Sequence, residues 1–220
     1  MEMLREMGIT VWVPREAQAA PQPVPEPVPE VAEAPPDTAD MDWGALEYAV
    51  SHCENCKLHR TRTQTVFGVG NRQADWMVVG EGPGQEEDRR GEPFVGPAGM
   101  LLNAMLKATG RARDDVYIAN IVKCRPPENR NPHPDEAAAC EPYLARQIAL
   151  IRPKVIVAVG KVAANNLLGT DSSLGRLRGK VHPHPQFDIP VVVTYHPAYL
   201  LRTPADKAKA WADLKLAMSL

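Results

Sequence analysis

The sequence is short of cysteine, of aromatic residues and of long apolar runs. Its 220 residues include four cysteines and three phenylalanines, and aromatic side chains make up 5%. No apolar run reaches the roughly 18 residues of a membrane-spanning helix, so such a helix is excluded. The first ten residues carry Glu2, Arg5 and Glu6 and lack the apolar core of a secretory signal, so a cytoplasmic protein is expected. In that compartment the thiols stay reduced, and a metal or cluster is the first use to consider for Cys53, Cys56, Cys124 and Cys140. At 44% hydrophobic residues the chain can build one sizeable core, which excludes a mini-protein that needs staples.

Net charge is only −2, but it is unevenly spread. Residues 1–40 hold eight acidic and two basic residues, leaving the body net positive by four. A mildly basic body permits a polyanionic partner. Residues 16–40 alternate proline with valine, glutamate, glutamine and alanine, a composition that favours extended, solvated polyproline II. Residues 1–40 are therefore read as an acidic, Pro-rich extension, and 41–220 as the folded domain. Within the extension, Gly8–Pro14 reads either as a weakly ordered terminus or as a peptide that docks on the body or on an unidentified protein.

From Met41 onward, four nearly continuous apolar runs suit strands buried on both faces: Trp76–Val79, Val116–Ile121, Val155–Val159 and Val191–Tyr195. Helices are expected from Asp42 to about His52, over Pro97–Thr109, Pro134–Ile151 and Lys161–Leu168, and from Pro204 to Met218. The alternation predicts an α/β fold, a three-layer α/β/α sandwich around a mainly parallel four-stranded sheet.

Ligands in such sheets bind outside the carboxyl ends of the strands. Glu81, Glu87, Asn120 and His196 follow strand ends and can converge on one crevice, where an acid, an amide and an imidazole suit base recognition and proton chemistry. Gly80-Glu81-Gly82-Pro83-Gly84 is a poor phosphate loop: Pro83 removes an N–H, and the Gly-x-Gly-x-x-Gly phase is missing. Val159-Gly160-Lys161-Val162 lacks the P-loop's first glycine and its Ser/Thr. No nucleotide cofactor is expected, and the glycines let the backbone approach a flat ligand. Phe94, between Pro93 and Pro97, is either a core anchor or a plate for a base. Cys53-x2-Cys56 with the remote Cys124 and Cys140 can form a tetrathiolate site, for zinc or for an iron–sulfur cluster. His182 and His184 are read as a surface loop, and His52, His59 and His133 as bystanders. Lys123, Arg125, Arg176, Arg178 and Arg202 cluster near the crevice as candidate phosphate contacts.

These residues resemble the family 4 uracil-DNA glycosylases, the iron–sulfur branch of that superfamily. The matching segments include CENC (53–56), VFGVGN (66–71), VVGEGPGQEED (78–88), GEPFVGPAGMLLNAML (91–106), VYIANIVKCRPPENRNP (116–132), VIVAVGKVAANNLL (155–168), GRLRGK (175–180) and VTYHPAYLLR (193–202). The resemblance covers about residues 46–218. It implies that Cys53, Cys56, Cys124 and Cys140 bind a [4Fe-4S] cluster and that Gly80, Glu81 and Gly82 frame the uracil pocket. It likewise implies that Phe94 stacks on the base, Asn120 reads its edge and His196 contacts O2. Glu87 matches an acid that excludes the thymine methyl group and helps position water; Glu81 is the other candidate catalytic acid. A uracil-crosslinking relative has a histidine where Cys124 stands, within a basic insertion absent here, so turnover rather than a covalent trap is expected.

The chemistry follows from the side chains. A base inside a duplex must be flipped out before it can be attacked. An asparagine amide matches uracil O4 and N3–H, while cytosine presents the opposite pattern. A donor at O2 stabilises the departing anion. The implied partner is uracil-containing DNA, and the implied enzyme is a monomer. The alternatives are a cluster-bearing DNA-binding module without catalysis, and a zinc-stabilised nucleotide hydrolase.

Overall fold

The computed structural model describes residues 6–8 and 37–220. Most of the extension, including Ile9–Pro14, lies outside the described residues. The chain divides into two units, residues 1–31 and 32–220. Of the first, the described residues 6–8 are exposed.

In the second unit, Asp42 caps helix α1 (Trp43–Ser51) by accepting the Ala45 N–H at 2.8 Å. Strands β1 (Val69–Gly70) and β2 (Trp76–Gly80) follow, then helices α2 (Gln85–Arg90) and α3 (Pro97–Ala108). Strand β3 (Tyr117–Asn120) leads to α4 (Pro134–Ile151), and β4 (Val155–Val159) to α5 (Lys161–Leu168). After α6 (Leu174–Leu177) come β5 (Val181–Pro183), β6 (Pro190–Thr194), α7 (Pro197–Arg202) and α8 (Lys207–Met218). The single helix expected from Pro204 is divided: Pro204–Asp206 forms a 3-10 turn before α8. α3 and α4 both start with proline, which needs no N–H partner at that position.

The sheet runs β1-β3-β2-β4-β6-β5. Its four central strands are the expected parallel set, and β1 and β5 add antiparallel edges, making six. Alternate residues of each central strand face opposite ways, as the pleat requires. Met77, Val79, Tyr117, Ala119, Ile156 and Ala158 pack with residues of α1, α4 and α5. Trp76, Val78, Ile118, Val155 and Val157 pack with residues of α3 and α8. Each buried large apolar side chain contributes roughly 1.5–3 kcal/mol, which is why the central strands read as unbroken apolar runs. Helices cover both faces, so the three-layer sandwich stands.

The body starts earlier than residue 41. Thr38 is buried and donates its hydroxyl to Pro142 O at 3.0 Å, and Arg146 Nε donates to Met41 O at 2.6 Å. No helix among the described residues is long and apolar enough to cross a membrane.

Candidate active site

The carboxyl ends of the parallel strands lie in register, with Gly80 beside Asn120 and Val159 beside Thr194. The chain leaves β2 toward β3 on one side and leaves β4 toward β6 on the other. The crevice between β2 and β4 is therefore a topological switch point, where open α/β sheets bind ligands.

Asn120, at the end of β3, is 2% exposed, and its side-chain Oδ1 has no hydrogen-bond partner. Leaving a buried acceptor unpaired costs about 1–3 kcal/mol, so a donor from outside the chain would be favourable here. Gly80 makes the arrangement possible: a Cβ there would lie 2.5 Å from Asn120 Oδ1 and 2.6 Å from Phe94 Cζ. Likewise a Cβ on Gly82 would stand 2.8 Å from Val122 Cγ2, so the Gly80–Gly82 backbone lies close against the β3 loop.

Phe94 is 7% exposed, with φ at 54°. This left-handed conformation costs a residue with a Cβ roughly 1–2 kcal/mol. Its ring faces His196, with centroids 5.7 Å apart and planes 30° from parallel. His196 precedes α7, and its Nδ1 accepts the Ala198 N–H at 3.1 Å. The ring proton therefore belongs on Nε2. Burial pushes the imidazole down to about 4; Arg202 adds to this and Glu87 opposes it. His196 is thus a neutral Nε2–H donor near pH 7.

The two acids differ. Glu81 is half-buried, burial raises its carboxyl above the usual range, and its side chain has no hydrogen bond or ion pair among the described residues. Glu87 is fully engaged with the backbone. Its Oε1 accepts from Val95 N at 3.0 Å and Gly96 N at 3.2 Å, and its Oε2 from Gly84 N at 3.2 Å.

The four cysteines line a single small pocket together with His59, Arg62, Lys123 and Tyr143. Cys53 and Cys56 lie between α1 and the 3-10 helix Lys57–Arg60, Cys124 lies beyond β3, and Cys140 lies in α4. All four are free thiols. Arg62 donates to Cys124 Sγ at 3.1 Å and to Cys53 O at 2.7 Å, and Lys123 N donates to Cys140 Sγ at 3.3 Å. Among the described residues, no three His, Cys, Asp or Glu side chains are grouped to hold a metal ion. A polynuclear cluster asks for something else: each thiolate binds its own iron, so the sulfurs stand apart around a cavity. Four thiols around one pocket, with N–H donors aimed at two of the sulfurs, fit that demand. His59, which lines this pocket, turns its ring to the Cys56 carbonyl, and His133 precedes α4.

The basic set divides. Lys123 does not face DNA: it is 1% exposed, and its Nζ donates to Gln147 Oε1 at 2.6 Å and Asn120 O at 3.1 Å. Those bonds recover part of the cost of burying its charge. Arg178 is also taken out of the free phosphate contacts. Its guanidinium is paired with the buried Asp213 at 2.7 Å and lies 4.2 Å over the Tyr195 ring. Tyr195 in turn stacks on Tyr199, whose hydroxyl donates to Asp206. Arg125 is half-buried against Asn129, while Arg176 and Arg202 remain exposed. The expected histidine loop is also revised. His182 lies in β5, its Nε2 2.8 Å from Leu177 O, and His184 is buried against Phe187.

Sequence reading missed Asp213, Tyr195 and Arg113. No spacing marks them, because each works through partners brought near only by the fold. Arg113 holds the turn at Phe94 through the carbonyls of Pro93 and Phe94.

Comparison with known proteins agrees with this geometry. The profile of the Uracil DNA glycosylase superfamily matches residues 67–215. The type-4 uracil-DNA glycosylase of Archaeoglobus fulgidus is 45% identical over 172 residues, covering 76% of this chain and 86% of that protein. That of Thermotoga maritima is 47% identical over 162 residues, 73% and 83% of the two chains. That of Pyrobaculum aerophilum is 41% identical over 182 residues, 80% and 93%. A profile match over most of the body and relatives at 41–47% identity over most of their length mean that the chain belongs to the uracil-DNA glycosylase superfamily, in its type-4 branch.

Proposed function

We propose that this protein is a DNA repair hydrolase that flips uracil out of DNA, cleaves its N-glycosidic bond and leaves an abasic site. The observation that carries the proposal is the unpaired, buried Oδ1 of Asn120 beside Phe94 and His196. Uracil N3–H supplies the missing donor, and uracil O4 accepts from the same amide. Cytosine has an acceptor at N3 and would leave two acceptors facing each other.

Each step uses a group already in place. The extruded base is assigned to the face of Phe94, with its edge on the Asn120 amide and the Gly80–Gly82 backbone alongside. As the bond breaks, negative charge grows on uracil O2, and the neutral His196 donates Nε2–H to it. Glu81, with its free carboxyl, is assigned to orient water toward C1′. Glu87 holds the loop that carries Phe94 and closes the pocket wall beside the base's 5-position. Arg176 and Arg202, with Arg125, are the assigned phosphate contacts.

Cys53, Cys56, Cys124 and Cys140 are assigned to a [4Fe-4S] cluster. When bound it supplies no step of the hydrolysis; it ties the Cys53–Cys56 segment and the Cys124 loop to α4. The extension before Asp37 has no assigned part in catalysis and is kept as a docking segment for another protein. The reading is of a monomer acting on DNA inside the cell, in the cytoplasm.

The test is an excision assay on uracil-containing single- and double-stranded DNA, run against a panel of damaged bases. Release of free uracil with an alkali-labile site supports the proposal. Tight DNA binding without release would leave a non-catalytic DNA-binding module.

A further inference from the structure

Phe94 is held in a disfavoured conformation, so something must hold it. Two charged side chains of opposite sign grip the peptides on either side. Arg113 Nη2 donates to Pro93 O at 2.6 Å, and its Nη1 donates to Phe94 O at 3.4 Å. The same guanidinium is fixed by Glu92 Oε1 at 3.0 Å and Asn103 Oδ1 at 3.2 Å. On the other side, Glu87 Oε1 accepts the N–H groups of Val95 and Gly96. The cation takes the carbonyls and the anion takes the amides, so each meets the matching end of the peptide dipoles. A third wall is Gly99 of α3, where a Cβ would collide with Phe94 O.

We infer that Arg113 is a positioning residue of the reaction: with Glu87 it forms a clamp that fixes the plane of Phe94, and so the plane of the extruded base. The inference rests on the pocket assigned above. Its contacts are with residues 92–103, so its effect on catalysis passes through the Phe94 turn rather than through DNA. A released turn would relax toward ordinary φ, and the ring would leave the position that Gly80 opens for it.

The test is a double-mutant cycle in single-turnover excision, with DNA affinity and thermal stability measured alongside. Arg113→Ala should slow excision by about 10²-fold, the scale of a 1 Å misplacement, with DNA affinity changed less than about threefold. Phe94→Ala should slow it by a similar factor. In the double variant the penalties should not multiply, because Arg113 has no further effect once the ring is gone. Arg113→Lys, which keeps a cation near the carbonyls, should recover much of the rate. If Arg113→Ala fails to fold, the same cycle with Arg113→Gln, which keeps the chain length but removes the cation, decides. Fully multiplicative penalties, or a loss of DNA affinity as large as the loss of rate, overturn the clamp while leaving the pocket intact. An unchanged rate in Phe94→Ala overturns the pocket reading and the clamp with it.

Discussion

In the base pocket, burial pushes the His196 imidazole down to about 4; in the cysteine pocket it pushes the Cys124 thiol up to about 11 and Cys140 up to about 12. Both shifts favour the neutral form, since removal from water penalises charge. The chemical consequences are opposite. A neutral histidine is already the donor that a departing uracil needs. A neutral thiol is the wrong state for a metal ligand, and only a bound cation would ionise it. On the proposed reading, the base site has its donor in place before a substrate arrives, whereas the cysteine pocket would be completed by what it binds. Substitutions in the first should cost rate, and substitutions in the second should cost stability.

The largest loss of rate is expected for Asn120→Asp. It removes the donor to uracil O4 and places a charge in a buried site, so uracil excision should fall by roughly 10³-fold or more. A trace of cytosine excision should appear, since a carboxylate accepts from cytosine N4–H2. Single-turnover assays on both bases check this, run below the melting temperature, which the buried carboxylate should itself lower. Unchanged uracil activity would remove Asn120 from the pocket.

His196→Ala should cost roughly 10²–10³-fold in the chemical step, the usual value of one donor to a developing anion. The penalty should shrink on 5-fluorouracil, whose anion needs less help. Equal penalties on both bases would reduce His196 to a positioning role.

Cys140→Ser tests the other half. Iron content should fall and the melting temperature should drop by several degrees, because metal binding is coupled to folding. Any residual folded protein should keep its preference for uracil. Full iron content with lowered uracil excision would reverse the contrast between the sites.

The smallest effect concerns pH. His196 takes up a proton near 6.5 when unfolded and near 4 when folded. Its neutral form therefore adds stability that is whole above pH 6.5 and lost as pH falls toward 4. The acid limb that it imposes on the excision rate should lie near 4. Arg202→Ala removes a cation that holds the imidazole neutral, so the limb should move upward, while Glu87→Gln should move it down. A limb near 6.5 in the unaltered enzyme would show a solvated histidine.

Much of this was legible in the sequence, for physical reasons. The four central strands are buried on both faces, and that shows as Val155–Val159 or Val191–Val193. β1 and β5 were hidden because edges two or three residues long, carrying Gly70 or Pro183, have no apolar pattern to show. The residues of the proposed pocket could be picked out because strand ends are where such folds bind ligands, and the fold brings Gly80, Phe94 and Asn120 together there. Charge, by contrast, misled. Lys123 and Arg178 read as phosphate contacts, yet the fold closes over both, one on Gln147 and the other on Asp213. Sequence gives the sign of a charge but not whether it is already answered.

Asp213 has one further consequence, which concerns the last helix. Arg178 and Asp213 are 35 positions apart, with Tyr195 and His196 between them. The ion pair therefore closes a loop that carries both of them, and Asp213 belongs to α8. The last helix of the chain is thus tied to the segment that presents the histidine, so a shift of α8 on the sheet would be felt at the strand ends through Arg178 and the Tyr195 ring beneath it.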